Sequence, residues 1–138
     1  MRNIFRIRAI LDDSEDIIRD FEIEVNSSLN DLHNLINKSF GFSGTELASF
    51  YRSNSKWEQG DELPLIDLNE KNKSKANISI NEIVSNDLKQ LIYIYDFLKL
   101  WTFYIEIIEE VQMIDKQNYP KLIFSHGDIP ESRLKSDL

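Results

Sequence analysis

Residues 3–11 alternate between apolar and polar side chains, with Phe5, Ile7, Ala9 and Leu11 on one face and Arg6 and Arg8 on the other. A period of two belongs to a strand that lays one face on a core. The run Asp12-Asp13-Ser14-Glu15-Asp16 interrupts it with turn formers. Alternation resumes over residues 17–25, where Phe21, Ile23 and Val25 oppose Asp20, Glu22 and Glu24. Two short strands about a polar turn predict an antiparallel hairpin.

The period then changes. Leu29, Leu32, Ile36 and Phe40 recur three or four residues apart, which is a helix stripe. Ser28 suits the N-cap, Asp31 the positive end of the dipole, and Gly41 the position just past the C-terminus. Beyond it, residues 47–52 predict a strand and residues 53–64 a polar loop holding Trp57 and Gly60. In residues 69–77 the sole apolar side chain is Ala76, so this segment is expected to be a polar, mobile loop within one domain. Ile80, Ile83 and Val84 predict a short helical turn, with Ser79 as its cap and Glu82 completing a capping box.

Residues 90–97 and 101–111 carry the strongest strand signals. Leu91, Tyr93, Tyr95 and Phe97 share a face of the first, and Trp101, Phe103, Ile105 and Ile107 a face of the second. Ile92, Ile94, Tyr104 and Ile108 make the opposite faces apolar too, which predicts central strands covered on both sides. Leu98-Lys99-Leu100 joins them as a short hairpin connection. Residues 119–129 form a last segment around Phe124, and residues 131–138 a polar tail expected to fray. The pattern as a whole predicts an α+β fold in a single domain over residues 1–138. Its sheet is mixed but mostly antiparallel, with an N-terminal hairpin, one main helix and a C-terminal aromatic hairpin.

At 138 residues, one core can form without metal or disulfide support. The absence of cysteine excludes a disulfide framework, a thiolate zinc site and a cysteine nucleophile together. Charges interrupt the N-terminus from Arg2 onward, and Asp96, Lys99 and Glu106 break the longest apolar stretch. A soluble, cytoplasmic protein with no membrane association is therefore expected. The formal charge of −8 disfavours direct duplex binding, because phosphate neutralisation supplies most nucleic-acid affinity.

Candidate chemistry is sparse. Asp96 interrupts one apolar strand and Glu106 the next, several residue spacings apart across the hairpin and too far for a shared-proton pair. Asp96 reads as a fastener accepting turn N–H bonds, the alternative being a tuned carboxyl. His33 lies at the edge of the helix stripe and reads as a border residue with local hydrogen bonds; His126 precedes Gly127 in a turn. Two isolated histidines make a poor metal site, and no nucleophile elbow, phosphate loop or dinucleotide fingerprint is present. The aromatics Phe50, Tyr51, Trp57, Tyr93, Tyr95, Trp101 and Tyr104 read mainly as core, with Tyr and Trp at edges able to anchor a partner.

Three marks carry a resemblance. Leu32-His33 is followed by Phe40-Gly41-Phe42; Tyr93-Ile94-Tyr95-Asp96-Phe97 is followed by Trp101 and Glu106; and Tyr119-Pro120 precedes Gly127 and Pro130. From about Ile4 to Pro130 the chain resembles the plasmid pRiA4b ORF-3-like proteins, which also travel with bacterial insertion elements. It departs from their pattern at Leu98-Lys99 (Gly-Asp in the family), at Phe103 (His), at Glu46-Leu47 (His-Leu) and at Asp128 to Glu131 (a longer Cys- and Gly-containing stretch). The resemblance implies the fold and a link to mobile elements, but no activity. The expectation is a non-enzymatic module without cofactor, binding a protein or small molecule, with Tyr93, Tyr95, Asp96, Trp101, Glu106, His33 and His126 as pocket or surface candidates. The alternative is a small-molecule or metal-assisted enzyme using Asp96, Glu106 and a histidine.

Overall fold

The computed structural model describes residues 3–85 and 87–130. Its strands are β1 (Asn3–Leu11), β2 (Ile17–Glu24), β3 (Ala48–Arg52), β4 (Glu62–Pro64), β5 (Gln90–Tyr95), β6 (Trp101–Gln112) and β7 (Lys121–His126). The helices are α1 (Leu29–Phe40) and α2 (Ile80–Ile83). All seven strands join one sheet in the order β4-β3-β5-β6-β1-β2-β7, and every adjacent pair is antiparallel. The tail from residue 131, expected to fray, lies outside the described residues.

The N-terminal hairpin forms as its alternation predicts, with Ile4 opposite Glu24 and Leu11 opposite Ile17. β1 also pairs with β6 along its whole length, from Asn3 against Gln112 to Leu11 against Phe103. The inward residues Phe5, Ile7, Ala9 and Leu11 meet Phe21 and Ile23 of β2 and Phe103, Ile105 and Ile107 of β6 in one core. Helix α1 closes that core with Leu29, Leu32, Ile36 and Phe40. Its cap is the predicted one: the Ser28 hydroxyl accepts from Asp31 N–H at 3.1 Å, and the Asp31 carboxylate accepts from Ser28 N–H at 2.9 Å. Gly41 ends the helix at φ +85°, a left-handed conformation that glycine adopts without strain.

Four expectations need correction. Phe97 is not in β5: that strand stops at Tyr95, and Phe97 lies exposed in the turn. β5 and β6 are central, but their second face is covered only in part: Ile92 is buried and Ile94 and Tyr104 half-buried, with Trp57 against the Tyr104 ring, whereas Ile108 is exposed. The Ser79 side chain makes no capping bond; Ser79 instead bridges to Ser28 of the α1 cap, and Glu82 N–H reaches the Ser79 carbonyl. Finally, the loop expected over residues 53–64 ends in the short strand β4, and residues 121–126 form the unanticipated strand β7.

The two ends of the sheet differ. At β4, Leu63 and Pro64 are buried, and the chain beyond returns over them: Lys75 N–H donates to the Pro64 carbonyl and Ser74 Oγ to the Leu65 carbonyl. The segment 69–77 is thus exposed yet fastened at its C-terminal half, where the Ala76 carbonyl also accepts from Asn30 of α1. At β7 the arrangement is open, and all residues from Leu122 to His126 are exposed.

Candidate functional site

The polar residues singled out in the sequence do not converge. Asp96 follows β5 at φ +63°, where its carboxylate accepts from the N–H groups of Leu98 and Lys99 at 3.0 and 3.3 Å, as a hairpin fastener does. Glu106 sits opposite Gln90, at the far end of β5, and accepts from its amide at 3.3 Å. His126 is on β7, with β6, β1 and β2 between it and β5. Among the described residues, no group of three or more His, Asp or Glu is placed to hold a metal.

Tyr93, Tyr95 and Trp101 belong to the core and not to a surface. Their polar atoms nonetheless organise one corner of the fold. Asn37 Nδ2 donates to the His33 carbonyl at 2.7 Å and to Tyr93 Oη at 2.8 Å, which uses both its hydrogens. His33 Nδ1 lies 2.5 Å from Tyr93 Oη, a pairing that Tyr93 meets by donating its hydrogen to a neutral imidazole protonated on Nε2, with the donor set by the tautomer. Burial agrees with this assignment, pushing the His33 pKa down and the Tyr93 pKa up. Two residues along β5, Tyr95 Oη accepts from Gly44 and Glu46 N–H at 3.1 and 3.2 Å, pinning the loop after α1. Phe42 of that loop packs on Tyr95, Trp101 and Phe103 at ring distances of 5.0, 5.0 and 5.9 Å. These groups position α1.

The structure places its unsatisfied surface elsewhere, at β7. Leu122, Ile123 and Phe124 are consecutive large apolar residues, each 45–47% exposed. A register shift between Asp20 and Phe21 makes Ile123 a bulge: Leu122 faces Phe21 on the helix side, while Phe124 stands opposite Asp20 on the other. On that outer face, Ile123 and Ile108 border a small cleft with Arg6 and Arg8. Both arginines are held by carboxylates, Arg8 by Asp20 in a two-bond fork at 2.8 and 2.9 Å and Arg6 by Glu22 at 2.7 Å and by Glu109. The Arg8 guanidinium lies 6.0 Å from the Phe124 ring centre.

On the helix side, β7 and α1 enclose an open groove of about 640 Å³. Leu35 and Leu122 line its middle, Glu24, Asp31 and Pro120 one end, and Lys38 the other. Arg19 fixes the far end of β7. This 6%-exposed side chain donates from Nη1 to the carbonyls of Ile18 (2.8 Å) and Gly127 (2.8 Å) and from Nε to that of Ser39 at the end of α1 (3.1 Å), with its guanidinium 5.1 Å from the Phe40 ring centre. A second groove of about 620 Å³ lies between α2 and the end of β6, lined by Phe5, Val84, Lys89, Ile107 and Glu110. β5 pairs with β6 only as far as Glu106, so the β6 residues that line this groove have β1 alone as a strand neighbour among the described residues, with Ile107 N–H donating to the Lys89 carbonyl. Sequence reasoning missed the β7 surface; three apolar residues in a row at 122–124 were its signal.

Among the described residues no helix is long and apolar enough to cross a membrane. No curated protein matches the chain. A crystal structure of a protein of unknown function from Methanosarcina mazei Go1 superposes with a TM-score of 0.79 at 16% identity, covering 91% of this chain and 70% of that one, which establishes the fold. The profile of one sequence family, the plasmid pRiA4b ORF-3-like proteins, matches residues 3–134. The chain belongs to that family.

Proposed function

We propose that this member of the plasmid pRiA4b ORF-3-like family is a non-enzymatic binding module that engages a protein partner through the β7 side of its sheet. One observation carries the reading: an edge strand exposes Leu122, Ile123 and Phe124 in succession, beside a groove on one face and a small cleft on the other. Contiguous exposed apolar residues on an unprotected edge mark interaction surfaces. The dispersal of Asp96, Glu106, His33 and His126 favours binding over the enzymatic alternative, which requires them to converge. The charge of −8 favours a protein over duplex nucleic acid. The plasmid origin in the family's description supports a setting in mobile-element biology, in the cytoplasm.

A photo-crosslinking residue placed at Ile123, in cells, tests this against the same residue at Lys73 beside the covered edge. The expected result is a discrete protein adduct from position 123 alone, lost on Phe124→Glu. Equal labelling from both positions, or none, overturns the reading.

A further inference from the structure

We propose that the tip of the β5–β6 hairpin is a second docking surface, suited to a partner-protein segment whose apolar centre is flanked by Lys or Arg. This goes beyond the β7 reading, since β1 and β2 stand between the hairpin and β7. Four apolar side chains meet at the tip. Leu98 is 95% exposed, Leu100 57%, Leu47 53% and Phe97 40%. Asp96 N–H donates to the Leu47 carbonyl at 2.8 Å, which sets Leu47 beside the turn. Single exposed apolar residues are ordinary; four gathered at one turn mark a contact surface. The turn also holds them still. Asp96 accepts from the N–H groups of Leu98 and Lys99, Leu100 N–H donates to the Asp96 carbonyl at 2.6 Å, and the Thr102 hydroxyl donates to the Leu100 carbonyl at 2.9 Å. Side chains displayed on a turn fixed before binding cost less to order when a partner arrives.

Charge decides the occupant. Asp12 N–H donates to the Thr102 carbonyl at 2.9 Å, so the β1–β2 turn lies alongside, its centre roughly 10 Å away at ordinary strand spacing. That turn carries Glu15 and Asp16, and Glu46 precedes Leu47 on the opposite flank. All three are exposed, and their carboxylates have no hydrogen bond or ion pair among the described residues. Across residues 12–16, 45–47 and 96–100, Lys99 is the single cation against six acidic residues. An apolar centre between free carboxylates attracts a segment of the complementary pattern, basic on both sides. The same carboxylates oppose insertion into an anionic membrane surface, and a second copy would set carboxylate against carboxylate.

Selection of a displayed random peptide library on the intact protein tests the proposal. Enriched peptides should carry an apolar centre with Lys or Arg on both sides, and the best synthetic one should shift the amide resonances of residues 97–100. Leu98→Ser changes a side chain with almost nothing packed on it, so the urea midpoint should hold while binding weakens at least about tenfold. Glu15→Gln with Asp16→Asn should also weaken binding and flatten its salt dependence. Glu70→Gln with Glu82→Gln, which removes the same charge elsewhere, should do neither. No enrichment, selected peptides without basic flanks, or indifference to Leu98→Ser overturns the proposal. Equal weakening by both double variants overturns it too, by reducing the attraction to net charge. Sedimentation of the protein with phosphatidylcholine–phosphatidylserine vesicles, lost on Leu98→Ser, would make the tip a membrane contact and overturn it as well.

Discussion

The two edges of this sheet solve the same problem in opposite ways. A strand edge carries unpaired N–H and C=O groups and invites pairing with other chains. At β4 the strand is three residues long, ends in Pro64, buries Leu63 and receives the Lys75 N–H on its last carbonyl. At β7 it is twice as long, exposed from Leu122 to His126, and blunted by the bulge at Ile123. A chain that covers one edge with the segment after it, yet leaves three apolar residues on the other, fits the proposal that the second edge is kept for a partner. The difference separates stability from function: β4 is architecture, and β7 is surface.

That contrast can be broken by measurement. Leu63→Ala should cost about 2–5 kcal/mol in a urea melt, as truncation in a core does, whereas Leu122→Ala should stay within about 0.5 kcal/mol. Equal costs would show that β7 is as much part of the core as β4. Next in size, Arg19→Met removes the donors that tie Ser39, Ile18 and Gly127 together, for about 1–3 kcal/mol. Hydrogen exchange should then quicken in β7 and leave β3 and β4 protected; uniform quickening would make Arg19 a general core residue.

Lys75→Pro sharpens the other side of the comparison. It deletes the donor to the Pro64 carbonyl and should cost about 1–3 kcal/mol, while a Gly-Ser replacement of residues 70–73 should stay within about 1 kcal/mol. If both are silent, the cover on β4 is ornamental. The smallest effect concerns α1, which supports both edges. Burial lowers the His33 pKa, so the unfolded chain binds this proton more readily than the folded one. Stability should be complete above about pH 6.5, the ordinary histidine value, and fall as pH drops through the folded pKa. Subtracting the pH–stability curve of His33→Gln should isolate this decline, and a flat difference would dissociate His33 from the Tyr93–Asn37 cluster.

Much of the fold was legible because its signals are local. Ser28, Asp31 and Gly41 delimit α1 within a few residues of one another, and period-two alternation marks β1, β2, β5 and β6. β7 was not legible, since Lys121-Leu122-Ile123-Phe124 has no alternation: the bulge turns Ile123 and Phe124 toward one face. β4 is too short to show a period. The polar cluster joins Asn37 to Tyr93 across 56 residues, a separation that no window along the chain detects. For the same reason Asp96, whose partners are two and three residues away, was read correctly as a fastener, while the surface offered by β7 emerged only once the sheet order was known.

The place of β1 between β2 and β6 also sets a schedule for synthesis. Its hairpin with β2 can close early, since Leu11 and Ile17 are near neighbours, but its other edge must wait for residues 103–112. Ribosomes add about 5–20 residues per second, so for several seconds each nascent chain presents Phe5, Ile7, Ala9 and Leu11 without their β6 partners. Closing that gap joins strands nearly the full chain apart, the kind of long-range pairing that slows folding. The interval in which β1 lacks its neighbour is where a chaperone would find this chain, and where a truncated product ending before β6 would be cleared.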